Sequence, residues 1–207
     1  MPIDYKKTEK ELYFPKTTPS IIDVPEMTFI VVDGKGDPNT SPEYAAAIEL
    51  LYGLSYSIKM NNKSVLEYVV PPLEGFWEAG DCFIGGGAPI TDKAKFVWTS
   101  VIRQPEFVTD EVFEAAKTVL AKKKPKLDIS LARLEKITEG LSVQVMHIGS
   151  YDNEHETVLA LDNFASENGY IIDINEKRRH HEIYLSDPRK VAPEKMKTVI
   201  RHPIRKG

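Results

Sequence analysis

The stretch "HHEIYLSD" at 180–187 gathers two imidazoles, a carboxylate, a phenol and a hydroxyl in one short run. Its Ile and Leu mark a strand, on which successive side chains point to opposite faces. His180, Glu182, Tyr184 and Ser186 therefore share one face, and His181, Ile183 and Leu185 the other. The apolar face is expected to pack beneath helices, which leaves Glu182 and Tyr184 on an open groove face. A carboxylate among aromatic walls attracts cations, and becomes a general base if burial raises its pKa. Adjacent histidines also suggest a metal, but on a regular strand His180 and His181 diverge and cannot share one ion. "HETVL" at 155–159 lacks the second histidine of a zinc-protease helix. No metal site is expected.

Aromatic residues supply the second kind of chemistry, stacking. Tyr52 and Tyr56 lie one turn apart on a helix, and Tyr68, Trp77 and Trp98 fall on or near the middle strands. Such residues serve core packing as readily as ligand contact. Trp77 stands apart, because it follows Leu73-Glu74-Gly75-Phe76 in what reads as a Gly-rich loop. His147, just before Ile148-Gly149, is a strand-end residue retained as a ligand-binding candidate. "GGGAP" at 85–89 is followed by neither Lys-Ser/Thr nor a helix start, so it is no phosphate cradle. Cys82 has no neighbour that would activate a thiolate and is read as structural. No cofactor is expected.

The totals narrow the partners. At 207 residues, 42% hydrophobic and 28% charged, the chain has the composition of an ordinary globular protein of one domain. A net charge of −4 argues against a nucleic-acid binder. The single cysteine excludes an internal disulfide and fits a reducing cytoplasm. Nothing at the start resembles a signal peptide, and no apolar run reaches the ~18 residues of a membrane span. A cytoplasmic protein with a small hydrophobic or cationic ligand is the expectation.

These residues need elements to position them. "MTFIVVDGKGDPN" (27–39) reads as a strand running into a turn, followed by a helix with Ser41 as cap and Pro42 in its first turn. "VLEYVV" (65–70) and "KFVWTSVIRQ" (95–104) read as strands flanking a long loop, and 110–122 as a helix capped by Thr109. The pattern then restarts, with strands at 130–137 and 141–153, a helix over 154–167, and strands at 180–188 and 197–204. "TSVIRQP" and "KTVIRHP" end the two runs, 98 positions apart from Val101 to Val199. The fold expected is α+β, a duplicated strand–helix–strand–strand unit (27–105 and 141–204) with pseudo-twofold symmetry. Its antiparallel sheet is open, with helices on one face and a groove on the other.

"FIVVDGKGDPN", "AIELLYGLSYSIKM", "PPLEGFW", "MHIGSYDNE", "ENGY" and above all "HHEIYLSDPRKVAPEKMKTVIRHPI" resemble the GyrI-like small-molecule-binding family over nearly the whole chain. The resemblance implies two fused units around a pseudo-twofold axis enclosing an aromatic-lined cleft, with Glu182 matching the glutamate of drug-binding members. It implies that Trp77 borders the cleft, where relatives usually carry a second tryptophan; Glu78 stands there instead and would add a second acid. Regulators of this family carry a DNA-binding helix-turn-helix, for which 207 residues leave no room. Three functions remain. The chain is a stand-alone binder of planar aromatic or cationic hydrophobic compounds, or a hydrolase opening cyclopropane rings of DNA-alkylating natural products, or an inhibitor of gyrase type. In the hydrolase, Glu182 would orient or deprotonate water for attack on a strained ring carbon, and Tyr184 would hydrogen-bond or donate a proton.

Overall fold

The computed structural model describes residues 2–79 and 92–207; Cys82 and the Gly-rich run at 85–89 lie outside them. Two short helical turns, α1 (Tyr5–Thr8) and α2 (Lys10–Tyr13), precede β1 (Ser20–Lys35) and α3 (Pro42–Asn61). Then come β2 (Leu73–Ala79), β3 (Phe96–Gln104), α4 (Asp110–Lys123) and β4 (Arg133–Ile148). α5 (Glu154–Glu167), β5 (Tyr170–Ile172), β6 (His180–Tyr184) and β7 (Lys197–Lys206) complete the chain. The helix starts follow the local chemistry: Ser41 accepts a hydrogen bond from the Tyr44 amide and Thr109 one from the Val112 amide, each relieving an unpaired amide in the first turn.

All strand pairs are antiparallel, in the order β4-β1-β3-β2-β6-β7-β5. β4 also pairs with β7, which closes six strands into a ring and corrects the expected open sheet. Closure depends on the length of β4, whose 16 residues reach β1 along 133–144 and β7 along 142–148. At Gly140 the backbone adopts φ +64°, a left-handed conformation that glycine takes without strain. Glu139 before it turns into the ring, whereas Leu141, Val143 and Val145 after it face α5.

The ring separates an inner core from two outer ones. Inside pack Phe29, Val31, Phe76, Val101, Ile183 and Val199, with Tyr13 of α2. Outside, α3 and α4 pack on Ile30, Val32, Trp98 and Ile102, and α5 on Val143, Val145 and Ile200. The two Val-Ile-Arg motifs behave alike: Val101 and Val199 point inward, Ile102 and Ile200 outward beneath helices. β3 lies between β1 and β2, and β7 between β4 and β6.

The interior also holds charge. His181 Nδ1 lies 2.8 Å from Glu139 Oε2, and Arg201 Nη1 donates to Glu139 Oε1 at 3.0 Å. His181 Nε2 contacts Glu74 Oε2 at 3.1 Å as an ion pair, off the hydrogen-bond direction. Two carboxylates thus face one guanidinium and one imidazole, the balance that burial demands. Arg201 Nη2 also donates to the Leu12 carbonyl, so the α1–α2 segment, which the sequence presents only as a polar start, is tied to one end of the ring.

Three elements differ from the sequence reading. Residues 65–70 form no strand, only a bridge from Tyr68 to Ile3. The strand lies instead at "LEGFWEA", where Pro71-Pro72 and Gly75 signal a loop. The strands expected at 130–137 and 141–153 are one, β4, and the three-residue β5 carries too little pattern to be seen. Among the described residues no helix is long and apolar enough to cross a membrane.

Candidate functional site

α3 lies over β1 and β3, and α5 over β4, β5 and β7. β2 and β6, paired with each other, run beneath the gap between these helices. That gap is a cleft of about 950 Å³, the size of a small-molecule site. It lies on the helix side of the ring, not on the opposite face as expected. His181 and Ile183 are buried inside the closed ring, so the apolar face of β6 needs no helix to cover it. The alternation along β6 holds, and it aims His180, Glu182 and Tyr184 into the cleft.

Tyr44, Tyr52 and Tyr56 of α3, Trp77 of β2, Phe96 of β3 and Tyr151 form the aromatic walls. The polar floor centres on Glu182, which accepts hydrogen bonds from Tyr184 and Glu154 and contacts His180 Nε2 at 2.9 Å. Trp77 Nε1 in turn donates to Tyr184 Oη at 2.8 Å. Gly75 permits that bond, since a β-carbon there would sit 2.6 Å from Trp77 Nε1 and 3.1 Å from Tyr184 Oη. The residue that made this stretch look like a loop is therefore the one that lets the indole reach the phenol.

The floor carboxyls are driven apart. Burial opposes ionisation of Glu182, yet the hydrogen bond and charge of His180, then the Tyr184 and Glu154 hydrogen bonds, hold it below the ordinary carboxylate range. Burial, then the Glu182 charge and hydrogen bond, push Glu154 well above that range. The pair thus holds one proton, on Glu154. Burial, then the Glu182 charge, also keeps Tyr184 neutral by raising its pKa. Glu154 Oε1 is buried without a hydrogen-bond partner among the described residues.

Of the residues singled out in the sequence, Glu182, Tyr184, Trp77, Tyr52 and Tyr56 meet in this cleft, the last two stacked with ring centroids 6.3 Å apart. Tyr68 does not line it; it is buried against Phe107. Trp98 lies beneath Tyr44, edge-on at 5.0 Å, with its ring over Gly34. Glu78 follows Trp77 on the strand, so it points to the other face and pairs with Arg179 at 3.4 Å. His147 bonds Thr157 and lines a separate cavity of about 450 Å³.

Sequence reasoning missed Tyr44, Phe96, Tyr151, Glu154 and His180 as parts of the site. His180 alone had a usable signal, its shared face with Glu182. Glu154 opens α5, where an acid serves the helix dipole and gives no sign of a partner carboxylate.

Residues 90–205, more than half the chain, match the family model of the GyrI-like small molecule binding domain. The chain belongs to this family. The GyrI-like protein is 47% identical to a solved structure of an uncharacterized conserved protein from Listeria innocua, with TM-score 0.90 over 98% of this chain and 100% of that one. A Listeria innocua protein described as a hydrolase is 45% identical, with TM-score 0.88 and coverage of 98% and 100%. The EcmrR C-terminal domain shares the fold at 14% identity, TM-score 0.54, over 92% of this chain and 98% of that one. No curated protein matches the chain.

Proposed function

We propose that this GyrI-like protein is a cytoplasmic hydrolase that takes a planar, hydrophobic molecule into the cleft and adds water to a strained carbon ring in it. The observation that carries the reading is the carboxyl pair on the cleft floor, Glu182 and Glu154, whose surroundings lower the pKa of the first and raise that of the second. Two titratable groups driven apart by their surroundings are the usual arrangement of a general base and a general acid. The aromatic walls would hold the substrate by stacking. Glu182 takes a proton from water as its oxygen bonds to a ring carbon. The ring C–C bond breaks, and its electron pair passes through the conjugated system to an oxygen that receives the Glu154 proton. The proton now on Glu182 returns to Glu154 through the bond between them, so one water is added and the site is reset. Tyr184, itself held by Trp77, fixes the carboxylate. The Listeria innocua relative described as a hydrolase supports the same reading.

The walls and the single floor charge also support a second reading, a stand-alone binder that sequesters cationic or planar aromatic compounds. Incubation with a cyclopropane-bearing DNA alkylator, followed by mass spectrometry, separates the two. A product heavier by one water is expected; saturable binding with the alkylator recovered intact would establish the binder instead.

A further inference from the structure

Behind Glu182 runs a line of buried groups that the reaction does not touch. His180 Nδ1 lies 2.7 Å from His202 Nε2, and His202 Nδ1 lies 2.6 Å from Asp162 Oδ1 on α5. Together with the 2.9 Å contact from Glu182 Oε1 to His180 Nε2, this makes three consecutive hydrogen bonds between two carboxylates. His180 and His202 are almost wholly buried, and Asp162, outside the cleft lining, has its side chain 13% exposed.

The geometry points to Asp162 and His202 as positioning residues that act through His180 to hold Glu182 as a carboxylate. The inference rests on the reading of Glu182 as the base of the cleft. Counting protons carries it. Three hydrogen bonds need three protons, and a carboxylate at each end supplies none. Two neutral imidazoles carry two, so the histidine pair must hold a third and with it a positive charge. With His202 Nδ1–H directed at Asp162 and His180 Nε2–H at Glu182, the third proton lies in the middle bond between the rings; resting on His180 Nδ1, it leaves His180 doubly protonated against Glu182 and His202 neutral. Burial holds the His202 pKa below its ordinary value, with Asp162 opposing and the His180 charge reinforcing, in keeping with a neutral His202.

Without the Asp162 charge, no other carboxylate among the described residues favours the third proton at the His202 end of the line. It then belongs on Glu182, where it preserves the bond to a neutral His180 and removes the base. The cleft cations Lys93 and Arg189 are paired with Asp152 and Asp187, and the other groups that act on Glu182 do not replace the lost charge. Tyr184 and Glu154 donate hydrogen bonds to it, and Tyr44, Tyr151 and His147 sense its charge, but none of these carries a positive one at neutral pH.

Two measurements on the full chain test this. In ¹⁵N spectra of the histidine rings at neutral pH, three of the four ring nitrogens of His180 and His202 are expected to be protonated in the wild type and two in Asp162→Asn. The Glu182 carboxyl, followed by ¹³C shift, should be ionised at neutral pH in the wild type and protonated in Asp162→Asn, where the third proton has moved onto it. Asp162→Glu should restore the wild-type titration, which a merely structural Asp162 would not require. Two protonated nitrogens in the wild type, or an unmoved Glu182 in folded Asp162→Asn, would overturn the assignment. Three protonated nitrogens in a protein that turns over no alkylator would overturn the hydrolytic reading and leave the assignment standing.

Discussion

Replacing Glu182 with glutamine removes the floor's charge while keeping the length and shape of the side chain. The carboxylate accepts from Tyr184 and Glu154 and faces His180 Nε2 at 2.9 Å. An amide offers one oxygen and turns its other end into a donor, so at least one buried donor loses its acceptor. That mismatch costs roughly 1–3 kcal/mol, and removal of the buried Glu182 charge, whose burial is unfavourable, offsets part of it. The protein should therefore stay folded with a modest loss in Tm. A cationic aromatic dye should bind more weakly by roughly 1–3 kcal/mol, about 5- to 150-fold in Kd, whereas a neutral analogue should bind almost unchanged. Turnover of a cyclopropane-bearing alkylator should fall roughly 10²–10⁴-fold, the contribution of a positioned base. Glu154 should also titrate closer to an ordinary carboxyl, since the Glu182 charge is one of the causes that raise it. Dye titration, product analysis and carboxyl ¹³C shifts read the three effects. A folded Glu182→Gln that matches the wild type in dye affinity and turnover would refute the assignment of Glu182 as the working carboxylate.

Trp77→Ala, in a Trp98→Phe background that removes the core indole, should abolish most of the tryptophan fluorescence change on ligand addition; an undiminished response would exclude Trp77 from the contact. Gly75→Ala should displace the indole from Tyr184 and reduce both stability and ligand affinity, and a crystal structure retaining the 2.8 Å bond would contradict this. Burial lowers and Glu139 and Glu74 raise the His181 pKa, for a net value of about 9 against an ordinary 6.5. Its stabilisation is then complete below about pH 6.5 and fades as pH rises through 9, a loss of roughly 3 kcal/mol. Glu139, held at about 2 against burial by His181 and Arg201, loses its share only as pH falls from 4.5 through 2. Urea unfolding at several pH values should show the alkaline decline, and His181→Gln should flatten it. Superposition of 27–105 on 141–204 should align α3 with α5 and at least three strands, as a duplicated unit requires; failure would reduce the repeated Val-Ile-Arg motif to strand composition.

The sequence by itself determined whatever depends on a residue and its near neighbours. Ser41-Pro42 and Thr109 start helices because a side-chain oxygen within reach of the first-turn amides works wherever the chain goes. The alternation of His180, Glu182 and Tyr184 against His181 and Ile183 follows from strand geometry, and with it the common face of the base and the phenol. Tertiary structure decided the rest. That face became the cleft floor only because β4 reaches both β1 and β7, closing a ring that buries Ile183 without help from a helix. "LEGFWEA" became a strand because β3 and β6 pair with its two edges, and Gly75 within it makes room for the Trp77 indole to reach Tyr184, 107 residues away. Glu154 became the partner of Glu182, and His202 and Asp162 the neighbours of His180, because α5 packs on β4 and β7. These pairings join residues 20–40 positions apart or more, and no local pattern encodes which distant groups a closed sheet will bring together.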